Sequence, residues 1–413
     1  MPFVDRERAS RLLAAAGLDA LIVAEPEGFS YITGVSQGVP GLFRRAGAGF
    51  AVLPADPQRP VGAVIGDLYA DAARRSVAEI RCHPLWMENA DLTGVPETGP
   101  IEQRIAQSWR QAGRPAGFRR PATFDLHLAL AALADLLGTL GLRHARLGID
   151  ADYIAESDAA VLRDALHGAS IVNGSPVLDH IRMVKTADEI DRLALGVELA
   201  EAGLRLMAQR VEAGQKAADL RDHFQRGVEA EAARRAMSPP PFWAYIAIGA
   251  DPWSAVGRVG PGTIVKADVG CLIDGYSSDT SRNYVFGAPT PDQAQLHRSI
   301  EAAFAAGVAR IRPGVKLSEV HRATTAALED AGLAGFSRGH FGHGLGHSLF
   351  SEQWPFVSAT SATVIEPDMV LAFEVPIYVT GVGGFNLEDQ LLVTADGHRS
   401  MNTLPRHLIP LGG

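Results

Sequence analysis

The chain has 413 residues, a formal net charge of −9, 47% apolar residues and 21% charged residues. That length exceeds one ordinary core and fits two or three domains, and the composition is that of a globular protein. The acidic balance excludes nucleic acid as the main partner, which would demand a basic face. The two distant cysteines, Cys82 and Cys271, exclude a disulfide framework or a thiolate zinc site and fit a reducing cytoplasm.

The charged start, MPFVDRERASRLLAAAG, lacks the apolar core of a signal peptide. No stretch reaches the roughly 20 apolar residues of a membrane span, so a soluble cytoplasmic protein with no membrane partner is expected. The N-terminal pattern predicts a helix ending at Gly17, then a buried strand over 20–24. AGFAVLP and PVGAVIG read as strands, TFDLHLALAALADLLGTLG as a helix and HARLGIDADYI as a return to strand. This alternation predicts an α/β domain over residues 1–165. The Pro/Arg-rich RPAGFRRPAT within it reads as a solvated loop.

Residues 166–413 form the second predicted domain, of α+β type. TADEIDRLALGVELAEAGLRLMAQRVEAG is a long amphipathic helix, with Thr186 as N-cap and Glu189 completing a capping box. A second helix follows in AADLRDHFQRGVEAEAARRAM. After Pro239, Pro240 and Pro241 the pattern turns to strands. Two further helices, SIEAAFAAGVARIRPG and LSEVHRATTAALEDAG, precede more strands to about Val393. A largely antiparallel sheet with helices packed on it is expected.

Chemistry concentrates in three places. In IVKADVGCLIDGYSSDTSRNYVFG, Asp274-Gly275 signals a hairpin turn. Asp268 and Asp279, eleven residues apart, then point from one face of the two strands. VLAFEVPIYVTGVGGFNLEDQLLVT is a second hairpin, with Glu374 and Glu388 fourteen apart; they share a face if the loop has an odd number of residues. Acids in half-buried strands need compensation, either hydrogen bonds or a divalent cation. Between the hairpins lies GHFGHGLGHSLFSEQWP, which carries His340, His343 and His347 among glycines. One of these imidazoles would complete an Asp₂HisGlu₂ set suited to two divalent ions, Mn²⁺ first, with Co²⁺, Fe²⁺ or Zn²⁺ as alternatives.

DVG…DGYSSDTSR, FGHGLGHS, EPDMVLAFEVPIY and LEDQLLVT, in that order, resemble the pita-bread family of methionine aminopeptidase, aminopeptidase P, prolidase and creatinase. LLAAAGLDALIVAEPEGFSYITG resembles the creatinase-type N-terminal domain, and DHIRMVKTADEIDRL its junction with the catalytic domain. The resemblance implies an α/β N-terminal domain plus an α+β pita-bread catalytic domain. It implies a homodimer and hydrolysis of a small amide or a dipeptide of Xaa-Pro type by a metal-bound hydroxide. Asp268 would chelate one metal, Asp279 and Glu388 would bridge, and Glu374 would hold the second metal and act as general base. The prolidase-like pattern aligns His347 with the metal ligand and His343 with a catalytic, substrate-contacting histidine. A methionine-aminopeptidase-like alignment of GHGLG makes His343 the ligand instead. The first alignment is taken, since both histidines then find counterparts; His340 is assigned to the surface or to a supporting position.

Two departures stand out. The peptidases carry a histidine before the first aspartate strand, but here no histidine occurs between His223 and His297; Trp243, Tyr245 and Trp253 occupy that region. They also carry one seven residues after the ligand, which from His347 is Trp354. Tyr245, Trp253 and Trp354 are therefore expected at the substrate. The alternative is a creatinase-like C–N hydrolase or lyase acting on a specialised small molecule.

Overall fold

A computed structural model describes residues 3–412 of the chain. Its contacts divide it into two compact units, Met1–Ile181 and Arg182–Gly413.

The first unit is an α/β layer structure. Its strands are β1 (Ala20–Val23), β2 (Gly49–Pro54), β3 (Gly62–Gly66), β4 (Glu79–His83), β5 (Arg146–Ile149) and β6 (Ser170–Asn173), in the order β4-β3-β2-β1-β5-β6. Strands β1, β2 and β3 pair antiparallel, and the remaining neighbours are parallel. The central strands are apolar at every position because both faces are covered. Ile22, Val52 and Leu147 pack under the helix Leu126–Thr139, and Leu21, Ala51 and Ile65 under Arg6–Ala15 and Pro26–Thr33. The unit ends at Ile181, later than the expected 165, for a physical reason. Strand β6 pairs with β5, and Leu178 and Ile181 of the helix Ser175–Met183 are buried in this core.

The second unit begins with the expected capping box. Thr186 Oγ1 accepts from the Glu189 N–H, and the Glu189 carboxylate accepts from the Thr186 N–H, starting the helix Ala187–Arg210. The helix Ala217–Arg234 follows. The predicted helix SIEAAFAAGVARIRPG starts earlier than read, at Pro291, behind a second capping box of Thr290 and Gln293, and runs to Val308. The fourth helix is Leu317–Asp330.

These helices cover one face of a ten-stranded sheet. Its strands are β7 (Phe242–Ile248), β8 (Ile264–Ile273), β9 (Tyr276–Ser277), β10 (Thr280–Phe286), β11 (His340–Gly344), β12 (Gln353–Ser358), β13 (Val370–Val379), β14 (Gly383–Val393), β15 (His398–Ser400) and β16 (Ile409–Leu411). The main path runs β12-β11-β13-β14-β10-β8-β7, antiparallel throughout, with β16 parallel to β10. Side-chain alternation sorts the two faces. Val265, Ala267 and Val269 of β8 meet Leu204 and Phe224 of the first helix pair. Phe373, Val375, Phe385 and Leu387 meet Ile300, Phe304 and Val320 of the second pair. The alternate residues of the same strands, Lys266, Asp268, Ser281, Glu374, Asn386 and Glu388, point from the opposite face, where the chemistry collects.

Candidate metal centre

The two hairpins set the carboxylates. Strand β8 pairs with β10 so that Asp268 lies opposite Ser281, and with β9 so that Leu272 lies opposite Ser277. That register puts Asp279, between β9 and β10, on the face of Asp268. In the second hairpin Val379 pairs with Gly383, leaving a three-residue loop, and Glu374 sits directly opposite Glu388. Strand β14 lies beside β10, with Ser281 opposite Glu388, so the two hairpins bring all four acids to one region.

The stretch HFGHG, His340–Gly344, is a strand. Strand β11 lies between β12 and β13, with Gly342 opposite Phe373 and His343 opposite Ala372. The glycines serve close approach: Gly342 has φ +134°, and a Cβ there would overlap the Ala372 carbonyl oxygen. His343 is thereby held on the face of Glu374.

His343 Nε2 is 3.7 Å from Asp279 Oδ2 and 4.0 Å from Glu388 Oε1. Asp279, His343 and Glu388 are buried, and each offers a ligand atom within 4.8 Å of the other two. His343 Nδ1 lies 3.0 Å from the Gly344 carbonyl oxygen. A carbonyl only accepts, so Nδ1 carries the proton and Nε2 presents a lone pair to the two carboxylates. Burial lowers the pKa of this imidazole, which keeps it neutral.

The other two acids flank this group, each beside a cation. Asp268 Oδ2 is 3.6 Å from Lys266 Nζ. Glu374 Oε1 accepts from Arg338 Nη2 at 2.6 Å, and Asn386 Nδ2 donates to Glu374 Oε2 at 3.1 Å and to Glu388 Oε2 at 3.3 Å. Burial, with the Glu374 charge adding and Lys266 opposing, pushes the Asp268 carboxyl up to about 6. Asp279 and Glu388 are raised well above the carboxylate range, by burial first and then by neighbouring acids. Asp279 Oδ1 is buried and has no hydrogen-bond partner among the described residues.

This donor set fits divalent cations. One neutral imidazole and two carboxyl groups converge at 3.7 and 4.0 Å, beyond hydrogen-bond length, and an unpartnered carboxyl oxygen is buried among them. A divalent ion satisfies all of these at once.

His343, rather than the expected His347, is the imidazole that the structure brings into this group. Strand β11 ends at Gly344, and the chain carries His347 to the first hairpin, where it bridges to Tyr276 and stacks edge-on against that ring at 5.2 Å. A Cβ on Gly275 would stand 2.5 Å from its Nε2. Trp354, expected at the substrate, packs as a partly buried side chain against the core cluster that includes Phe341 and Ile365. Tyr245 and Trp253 are exposed and line a cavity of about 550 Å³ that reaches Asp268, with Lys266, Tyr378 and Arg221 in its wall. His340 is half-buried: Nδ1 is 3.7 Å from Glu374 Oε1, and Nε2 is 3.7 Å from Glu352 Oε2.

Lys266, Arg338, Asn386 and Tyr378 are the site residues that sequence reasoning passed over. Two of them had a readable signal. Lys266 stands two residues before Asp268, and Asn386 two before Glu388, each on the face of its acid. Arg338 and Tyr378 carried none.

A fold of this kind, with acids and one imidazole converging on a sheet face, defines a metallohydrolase. Residues 192–395 match the model of metallopeptidase family M24, and residues 6–184 that of the creatinase/prolidase N-terminal domain. The chain belongs to the M24 family, with the two-domain creatinase/prolidase fold that the sequence implied. "Probable dipeptidase PepE" of Mycobacterium tuberculosis is 32% identical over 256 residues, 60% of this chain and 66% of that one. The Xaa-Pro dipeptidase of Pyrococcus furiosus is 25% identical over 238 residues, 56% of this chain and 67% of that one. The solved Xaa-Pro dipeptidase from Bacillus anthracis superposes with a TM-score of 0.75 over 98% of this chain and 99% of its own, at 21% identity. Among the described residues no helix is long and apolar enough to cross a membrane, and both cysteines are free.

Proposed function

We propose that this protein is a dinuclear, manganese-type dipeptidase acting on Xaa-Pro or similarly small amides, with Asp268, Asp279, His343, Glu374 and Glu388 as metal ligands. The convergence of His343 Nε2 with Asp279 and Glu388 carries this reading. The metals, when bound, supply Lewis acidity and an acidified water. The remaining work belongs to the chain. Glu374, oriented by Arg338 on one oxygen and Asn386 on the other, accepts the proton of the nucleophile. His343 cannot also deliver a proton, because its Nδ1–H is engaged with Gly344 and its Nε2 is the donor atom. His340 suits that task better. Its Nδ1 accepts from the Gly342 N–H at 3.3 Å, which leaves Nε2–H to donate on the side of Glu352. Tyr245 and Trp253 form the cavity wall against the substrate. The free cysteines and the family resemblance support a cytoplasmic homodimer.

The test is metal analysis of purified protein loaded with Mn²⁺, Co²⁺, Fe²⁺ or Zn²⁺, followed by a panel of Xaa-Pro dipeptides. About two equivalents of metal, lost in Asp279→Ala together with dipeptide turnover, is the expected result. Full metal with no turnover of any dipeptide would favour the second reading, a specialised C–N hydrolase or lyase. The replacement of substrate-side histidines by the exposed Tyr245 and Trp253 supports that alternative.

A further inference from the structure

The two acids that converge with His343 stand at strands that hold each other at one point. Strand β10 pairs with β8 from Thr280 opposite Val269 to Val285 opposite Ile264, and β13 pairs with β14 along its whole length. Between β10 and β14 the backbone register is a single pair, Ser281 opposite Glu388. A ladder of backbone bonds therefore does not set the gap between Asp279 and Glu388. Side chains close the seam. On one side of the pair, Arg282 Nη1 donates to the Glu388 carbonyl, and the Asn386 N–H donates to Asn283 Oδ1. On the side of Asp279, Gln390 Oε1 accepts from the Asp279 N–H at 3.3 Å, and Thr280 Oγ1 donates to the Glu388 carbonyl at 3.3 Å.

Asn402, just past strand β15, joins these last two links. Its Nδ2 donates to Thr280 Oγ1 at 2.7 Å, and its Oδ1 accepts from the Gln390 N–H at 2.7 Å. Glu201, on the helix Ala187–Arg210, is 2% exposed and fastens this segment. Its carboxylate accepts from the Thr403 N–H at 2.8 Å, the Leu404 N–H at 2.9 Å and Asn402 Nδ2 at 3.3 Å, and it pairs with Arg205 at 2.9 Å. Burying a carboxylate is costly unless donors meet it, and here residues 402–404 supply most of them.

We propose that Asn402, anchored by Glu201, is a positioning residue that fixes the separation of Asp279 and Glu388 and so sets how tightly the centre holds its second metal ion. The inference rests on the dinuclear reading of the site. One ion can draw His343 and the acids nearest it together by small shifts of the strands. Two ions are held only when the acids between them are spaced to reach both, and metal–ligand distances tolerate only about 0.2 Å. A seam that opens by that much therefore costs the second ion more than the first. Partners behind metal ligands contribute about ten- to a hundredfold to affinity.

The experiment is calorimetric titration of the metal-free full chain with Mn²⁺, with thermal melts in EDTA alongside. Asn402→Leu keeps the side chain's size and removes both links. It should weaken the second Mn²⁺ step by about tenfold or more and the first by less than about threefold. Glu201→Gln should shift the second step in the same direction, and it decides the matter if Asn402→Leu does not fold. Thr280→Val removes the hydroxyl that Asn402 holds. The double variant Asn402→Leu/Thr280→Val should lose less affinity for the second ion than the two single losses multiplied together. A lower melting temperature with both Mn²⁺ steps unchanged would show that the segment only supports the fold, and would overturn the inference. So would equal weakening of both steps, or losses that multiply fully in the double variant. Wild type binding fewer than two equivalents would instead overturn the dinuclear reading, and the inference with it.

Discussion

Replacing Asp268 with asparagine should stabilise the metal-free protein while destroying its function. Burial and the Glu374 charge push the Asp268 carboxyl up to about 6 even with Lys266 beside it. Its ordinary value is 3.8, so the folded state binds this proton more tightly than the unfolded chain does. The stability that the protonated form contributes is complete below the unfolded value. It is lost as pH rises toward the folded value and stays lost above it. A shift of about two units at 1.4 kcal/mol each gives about 3 kcal/mol of lost stability at pH 8. Asparagine keeps the shape of the protonated acid and cannot ionise. In chelator at pH 8, Asp268→Asn should therefore melt higher than wild type, by roughly 6 to 10 °C for a unit of this size. At pH 4 only a small fraction of the difference should remain. With saturating Mn²⁺ the order should reverse, because wild type gains stability by binding and the variant forfeits most of that gain. Thermal melts at the two pH values, with EDTA and with metal, make the comparison. A lower melting temperature for Asp268→Asn in EDTA at pH 8 would refute the reasoning, since Asp268 would then be stabilising as an anion.

His343→Ala should lower metal affinity by about a hundredfold or more, and His347→Ala by less than about threefold, read by competition with a chelating dye; the reverse order would return the ligand role to His347. Behind the site, Arg282 is buried and donates to the Glu388 carbonyl at 2.6 Å and to Asp389 Oδ1 at 2.7 Å. Arg282→Met should cost about 3 to 5 kcal/mol in denaturant melts, because it leaves Asp389 buried with only the half-exposed Arg406 as cation partner. A loss under about 1 kcal/mol would show that the second arginine suffices.

The strand pattern made much of this legible. Asp268 and Asp279 share a face because the Asp274-Gly275 turn fixes the hairpin register. Glu374 and Glu388 face one another because their loop has three residues. The choice of histidine was not legible, for a reason the strand geometry supplies. His343 and His347 are an even number of residues apart, so alternation cannot separate them. What separates them is the end of β11 at Gly344, and glycines give no propensity signal for a strand. The strand exists because its neighbours β12 and β13 approach its backbone closely at Gly342 and Gly344. That is a tertiary fact, absent from the local sequence. The start of the helix at Pro291 was legible and missed, since Thr290 and Gln293 form the same box that located the helix after Thr186.

The two flanking cations shape how metal should bind. Four carboxylates meet Lys266 and Arg338 in this region, so the fully deprotonated site carries two net negative charges. A first divalent ion neutralises it. A second enters a site that has become neutral and leaves it positive, against Lys266 beside Asp268 and Arg338 beside Glu374. The second equivalent should therefore bind more weakly than the first, by about tenfold or more at the effective dielectric of partly buried sites. An anion that meets the positive site should narrow the gap. Calorimetric titration with Mn²⁺ should show two separable steps that draw together when N-acetylproline is present. In Arg338→Met the second step should tighten, because the competing cation on Glu374 is gone. Two equal steps in wild type would mean that Arg338 and Lys266 swing away from the acids on metal binding, and that their pairing with Glu374 and Asp268 belongs to the metal-free protein alone.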